Sequence, residues 1–522
     1  MKSYKSPILH LLVIIILIGL SSCKSFLNEY SGDLAYIKTV DDLDQLLIGS
    51  GYMEVHPRTP LDYNNFYFPF LHFISDETQE VIGETRYSPE ATIRPNIFGY
   101  YTWQKNVGGS FDGLSRRNES VDWLRIYNHI STLNVILAEA EEIVPDTDTE
   151  KKKWNRVVAE ALFLRGAYHF WLVNIYAVPY CKANSSKPGI PLKLEQNIID
   201  KKYSRATIES VYDIILEDLS KAESLMPKDL GNSKYRISTA GIYLLKSRVY
   251  LYMQNWEKAA EYAQKCISIG GALQNLNGWS QDKFFLSLEN NEVLFSMGGS
   301  LVYSSLNESM TVGNFEVSDE LYNLYSDEDL RKTVYLKKDK CKFSYKGSFI
   351  HPIKQNPHEF NRSEISENYC LRLSEAYLNL AEAYAFVNKT EDSKKAITQL
   401  MQMRYQPSSV PTLKEYSRAD LIQFIRDERR KELCFEGHRW FDLRRYRVTE
   451  EFPYKKDLRS SFTVYIKENR NSRPHATYEY LLPADEDFGY TLPIPLEEKM
   501  INDIIQDNER LEREPINIIN YE

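Results

Sequence analysis

Apolar residues recur along this chain mainly at helical spacing, in two blocks. From Asp122 to Ile143, the positions Leu124, Tyr127, Ile130, Leu133 and Leu137 line one side and predict an amphipathic helix. The next segment, Trp154 to Tyr176, is apolar on more than one side through Val158, Leu162, Leu164, Trp171 and Leu172, which predicts a buried helix. Thr207 to Met226 runs to a stop at Pro227, and Thr239 to Met253 is followed closely by Trp256 to Ile269. The second block holds another close pair, Tyr369 to Val387 and Glu391 to Arg404, and then the helix that starts near Ser417. A short helix is also expected from Asp41 to Leu47.

Within the close pairs, small and aromatic residues fall at informative places. Ser247, Tyr250, Ala259 and Cys266 resemble the small, aromatic, small and small positions of a tetratricopeptide unit, and Leu380, Ala381 and Tyr384 echo its first half. One such unit cannot bury its own faces, so several must stack. The expected fold class is therefore mainly α: tetratricopeptide-like helical hairpins stacked into one domain, with long irregular loops and few short strands. The repeats lie mainly in 121–270 and 369–446.

Between the blocks the helical period disappears. Residues 49–113 carry scattered Pro, Gly and Asn, a dense patch of Phe66, Tyr67, Phe68, Phe70 and Phe73, and then Tyr100, Tyr101 and Trp103 before Gly108-Gly109. Residues 270–360 are similar, with Trp279, Phe284, Phe285, Tyr322, Tyr335, Phe343 and Tyr345 among them. Long loops on a rigid scaffold are where binding residues tend to be placed.

Composition sharpens this reading in three ways. The 522 residues include 37 Tyr against 7 Trp, and a tyrosine-rich surface suits sugars or peptides because the ring supplies apolar area and the hydroxyl a hydrogen bond. A formal net charge of −9 argues against nucleic acid as a partner, since that rewards clustered Lys and Arg. The 6 cysteines show no metal-ligand spacing, and no cofactor loop follows a strand, so neither a metal nor a cofactor is expected. Cys266 and Cys434 are placed on apolar helix faces, and Cys181, Cys266, Cys341, Cys370 and Cys434 are expected to be mostly reduced and buried.

At the front end, Lys2 and Lys5 precede a greasy run from Leu11 to Leu20 that is too short to span a bilayer. Ser21, Ser22 and Cys23 follow, as in a bacterial lipobox. The expectation is a lipoprotein signal over 1–22, lipidation at Cys23, and a single mature domain over 23–522, held on a membrane by several acyl chains.

The densest signal is the run Ser417 to Tyr446. Ser417 and Asp420 make a capping pair, and Leu421, Ile422, Ile425, Leu433 and Phe435 supply an apolar face. Among them sit Glu428, Arg429, Arg430, Glu432 and Glu436, then Gly437, Arg439, Trp440, Asp442 and Arg444. Carboxylates, arginines and a histidine lying together allow a catalytic reading. Arg–carboxylate pairs that fix packing explain the same residues more simply, so the cluster reads as an architectural knot.

The string ERRKELCFEGHRWFDLRR resembles the signature of the SusD/RagB family of outer-membrane nutrient-binding lipoproteins, matching at Glu428, Arg429, Glu432, Glu436, Gly437, Arg439, Trp440, Asp442 and Arg444. Further similarity lies in Ala159 to Tyr180, Val211 to Pro227, Glu289 to Phe295, Ser326 to Lys332 and Tyr490 to Asn508. The resemblance implies a tetratricopeptide-like scaffold and a non-enzymatic protein on the outer membrane, facing the cell exterior. It also implies a SusC-like TonB-dependent barrel as partner and an oligosaccharide as cargo.

Family members carry ligand contacts in loops before and between the repeats. That placement makes Tyr100, Trp103, Asn106, Trp279 and Tyr345 the candidate ligand-binding residues. Two other readings remain in view. The same role with a peptide cargo, as in the RagB-like branch, fits the tyrosine count equally well. A glycosidase needs two carboxylates at a catalytic separation, which sequence does not fix, but no G-x-S-x-G elbow is present. The export signal argues against an intracellular tetratricopeptide adaptor.

Overall fold

A computed structural model describes residues 37–54, 66–85, 93–113, 119–197, 201–228, 233–280, 282–297, 306, 314–355, 365–468, 470–486 and 488–521. The expected signal and Cys23 lie outside the described residues. In chain order the main helices are α1 (Val40–Leu46), α2 (Arg94–Tyr101), α3 (Val121–Glu142), α4 (Asp148–Tyr176), α5 (Ile208–Leu225), α6 (Thr239–Tyr252), α7 (Trp256–Ile269), α8 (Leu373–Phe386), α9 (Thr390–Met401), α10 (Arg418–Glu432) and α11 (Arg439–Arg447). The strands are β1 (Thr78–Glu80), β2 (Val293–Phe295), β3 (Phe315–Val317), β4 (Leu336–Lys340), β5 (Ser348–Pro352), β6 (Leu371–Arg372), β7 (Leu458–Glu468), β8 (Asn471–Leu482) and β9 (Asn517–Asn520).

Helices pack on their sequence neighbours, α3 on α4, α4 on α5, α6 on α7 and α8 on α9, and α7 then packs on α8. This is a stack of antiparallel hairpins, as expected. Each of two hairpins is tied by a serine, in opposite senses: Ser247 on α6 donates to the Ala259 carbonyl of α7 at 2.9 Å, and Ser393 on α9 to the Ala381 carbonyl of α8 at 2.6 Å. Both hairpin turns place a left-handed residue at the same point, Gln254 (φ 59°) and Asn388 (φ 61°). Ala259, Ala263, Cys266, Ala381 and Ala385 are buried in these pairs, where small side chains let the helices approach closely.

The start of α4 lies well before Trp154. Thr147 accepts the Glu150 N–H at 3.1 Å, and the first turns carry Lys151, Lys152 and Lys153, which hid that start from an apolar count. Helix α8 begins later than Tyr369, because Leu371–Arg372 form β6, paired with β2. Helix α10 opens on a complete capping box between Ser417 and Asp420. Cys434 lies in the turn after α10, buried, rather than on a helix face.

The two stretches without helical period are organised by short antiparallel pairs, β1–β3 and β4–β5, and by α2. Their aromatics split between two cores. Tyr67, Phe68 and Phe70 join the main helical core, while Phe66, Phe73, Ile97, Phe285, Phe315 and Tyr335 build a second one. A three-stranded sheet, β7–β8–β9, closes the fold. β7 and β8 span 11 and 12 residues, an element that apolar periodicity did not show. The tail is tied back by Arg510 and Arg513. Arg510 donates to the carbonyls of Gly489 (3.0 Å), Thr491 (2.6 Å) and Trp103 (3.1 Å), and Arg513 to that of Trp103 (3.4 Å).

Candidate functional site

The run from Glu428 to Arg445 is buried, and its charges are matched almost one for one. Glu432 accepts from Arg372 Nη1 (2.7 Å), Arg404 Nε (2.9 Å), Arg331 Nη1 (3.2 Å) and the Tyr335 hydroxyl (3.1 Å). Glu436 takes a two-pronged contact from Arg372 (2.7 and 2.8 Å) and another from Lys354 (2.6 Å). Glu428 binds Arg331 Nη2 at 2.6 Å, and Arg429 holds Asp442 at 2.8 and 3.0 Å. Arg439 forks onto Asp76 at 2.7 and 2.8 Å. Trp440 stacks on Tyr490 with ring centres 5.3 Å apart. Arg444, in no ion pair among the described residues, donates to the Ala177 carbonyl, and burial lowers its pKa to about 10.

Burial alone would raise the carboxyl of Glu432, but Arg404 and Arg372 hold it well below the usual range; Arg430 and Arg439 do the same for Asp76. His438 is kept neutral, first by burial and then by Arg248 and Arg429 nearby. Glu77 differs: burial raises it to about 7, opposed by the Phe435 N–H, which donates to it at 3.0 Å. Phe435 (φ 58°) and Gly437 (φ 73°) turn the chain sharply, and a Cβ on Gly437 would meet Asn368 Oδ1 at 3.3 Å. With its carboxylates neutralised by fixed arginines away from solvent, the cluster joins α10, β6, the end of α9 and the Arg331–Val334 turn.

The five candidate ring and amide positions do not converge. Tyr100 is 2% exposed and stacks flat on Phe70, with ring centres 4.3 Å apart. Trp103 is 1% exposed, left-handed (φ 54°), and donates its indole N–H to the Ile74 carbonyl at 2.9 Å. Both were expected to offer ring faces to a ligand. Instead they are core residues, because α2 turns them inward against the 66–74 segment. Trp279 is half-buried against Phe285, and its N–H is used by the Lys283 carbonyl. Asn106 is exposed.

Tyr345 is the open one, 59% exposed. It sits in the turn joining β4 and β5, and that turn docks on residues 82–84. The Tyr345 N–H donates to the Ile82 carbonyl at 2.9 Å. Gly83 permits the approach: a Cβ there would lie 2.0 Å from the Phe343 carbonyl oxygen. The Tyr345 ring lies 6.4 Å from that of Tyr521, just past β9.

The model of the SusD family matches residues 344–510, and a second family model, described as starch-binding associating with outer membrane, matches 97–251. Over these two segments the chain is similar to the SusD family and to a starch-binding family associated with the outer membrane. Among solved structures, a SusD superfamily protein from Bacteroides thetaiotaomicron is similar at 21% identity and TM-score 0.66, over 90% of this chain and 100% of that one. A SusD-like carbohydrate binding protein from Bacteroides vulgatus is similar at 19% identity and TM-score 0.64, over 90% and 98% of the two chains. At such identities the likeness is one of fold. No curated protein matches this chain.

The residues placed near Tyr345 were not foreseen. Partial burial, then the Glu84 charge and the Tyr521 phenol, raise the Tyr345 pKa, while Arg473 opposes them. Tyr521 therefore lies beside the ring, while Glu84 and Arg473 act on it through their charges, Arg473 being paired with Glu468 at 2.8 Å. The register Ala476↔Asn520 to Glu479↔Asn517 brings the Tyr521 end of the chain beside β8, and the bridge Thr85↔Ser472 brings the 81–85 segment to the same sheet. Two tyrosines with an arginine and a carboxylate offer ring faces, donors and an acceptor on one surface.

Proposed function

We propose that this protein captures oligosaccharides at the outer membrane without catalysis and passes them to a SusC-like TonB-dependent barrel. It is held there by lipid at Cys23 and faces the cell exterior. The carrying observation is the family match, with the model described as starch-binding over residues 97–251. The Tyr345–Tyr521 surface is the contact we assign to the sugar, with Arg473 and Glu84 bonding hydroxyls, and Trp279 and Asn106 stay as outlying candidates. Nothing in the buried charge cluster favours a glycosidase, because Glu428, Glu432 and Glu436 are each engaged by fixed cations. Peptide cargo is the second reading, and the half-paired edge of β9 is the feature that would serve it. An array of glycans and peptides probed with the purified protein decides between them. Oligosaccharide retention that falls on Tyr345→Ala supports the proposal; retention of peptides alone overturns the cargo.

A further inference from the structure

Where the turns of the helical pairs meet, a cleft of about 490 Å3 opens away from the charge cluster's buried groups. Tyr180, Trp256 and Phe386 line one part of it, and Glu209, Glu450 and Glu451 another. Lys182 is the one basic side chain among its described lining residues. The apolar part is firm: Trp256 stacks on Phe386 with ring centres 4.1 Å apart and planes 11° from parallel.

The acidic part is held in place as well. Gln254 donates to the Val448 carbonyl at 3.0 Å and accepts the Glu450 N–H at 3.1 Å, pinning the segment after α11 to the α6–α7 turn. Arg418 neutralises Glu451 and ties itself to the end of α8 through the Ala385 and Phe386 carbonyls (2.8 and 2.7 Å). Glu209 and Glu450 form no ion pair among the described residues. Asp213, one turn along α5, adds to the same field: burial first, then Glu209 and Asp213, push the Tyr180 phenol above its ordinary value.

We propose that this cleft receives a lysine or arginine side chain from an extended segment of a partner protein. The aliphatic stem would lie against Trp256 and Tyr180, and the cation would meet Glu209 and Glu450. The charge balance decides the class of occupant. A neutral sugar can hydrogen-bond to Glu209 and Glu450 but returns no charge to them, whereas a cation compensates both carboxylates and gains from the ring faces. An anion would face three or four carboxylates against one lysine. The volume suits one or two long side chains rather than a folded surface. This proposal goes beyond glycan capture and does not depend on it.

Calorimetry on the full chain in detergent tests it, with tetra-arginine amide as probe and tetra-glutamate and maltotetraose as controls. Saturable one-to-one binding of tetra-arginine is expected, weakened about tenfold between roughly 20 and 200 mM salt. Glu209→Gln and Glu450→Gln should each weaken it about threefold, and the double variant about tenfold, with the melting temperature unchanged. Absence of tetra-arginine binding, or binding indifferent to the double variant, overturns the proposal. So does maltotetraose binding that is lost on Glu450→Gln.

Discussion

The buried charge cluster around Glu432 and the open surface around Tyr345 are built from the same kinds of residue. In the first, Arg372, Arg404 and Arg331 meet Glu428, Glu432 and Glu436 with nothing left over, and rings such as Tyr335 and Trp440 seal the sides. In the second, the Tyr345 ring stays 59% exposed beside Tyr521, whose hydroxyl meets Thr477 at 3.0 Å, and Arg473 pairs with Glu468 at the surface. A run of charges in a sequence is therefore a poor guide to chemistry. Whether those charges are matched inside the protein, or left available to a ligand, decides their role.

The contrast is breakable, most forcibly at Arg372. Arg372→Met leaves Glu436 with Lys354 alone and removes one of three arginines from Glu432, so a loss of about 3–5 kcal/mol is expected in denaturant unfolding. A loss under about 1 kcal/mol would mean the cluster is not holding the fold together.

Glu77 sets a pH dependence of the opposite kind from its neighbours. Its folded pKa of about 7 lies above the ordinary 4.5, so the native state binds the extra proton. Between those values stability should fall as pH rises, by up to about 3 kcal/mol. Glu77→Gln should then stabilise the protein at pH 8 and change little at pH 4; equal effects at both would refute the assignment.

Gly437→Ala forces a side chain into a left-handed turn and against Asn368, and should cost about 1–2 kcal/mol by the same unfolding measurement. Tyr345→Ala belongs at the other end of the scale. Stability should move by less than about 0.5 kcal/mol, while affinity for a retained oligosaccharide drops about tenfold. A variant that melts early but binds normally would reverse the comparison.

Helices were legible because their apolar faces repeat over many turns: α6 and α7 lie within a residue of where periodicity put them. The β7–β8 hairpin was not. Its inward positions include Ser460 and Ser472, both buried, and the register shifts between Val464 and Tyr465, so alternation never runs long enough to read. The motif residues were found by resemblance and their ion partners only by folding, since Arg372, Arg404 and Glu292 lie far away in sequence. Trp103 misled because an aromatic in a loop-like stretch looks available until α2 turns it inward. Tyr521, Arg473 and Glu84 carried no local signal; the β8–β9 register and the Thr85↔Ser472 bridge bring them together.

The two arginines on the tail have a practical outcome. Because Arg510 and Arg513 both grip the Trp103 carbonyl, the last stretch of chain acts as a clasp over an indole that water does not reach. A protease nick between Tyr490 and Arg510 would loosen that clasp long before the helical stack came apart. The damage would announce itself as a red shift in tryptophan emission from a molecule whose far-ultraviolet spectrum still looked whole.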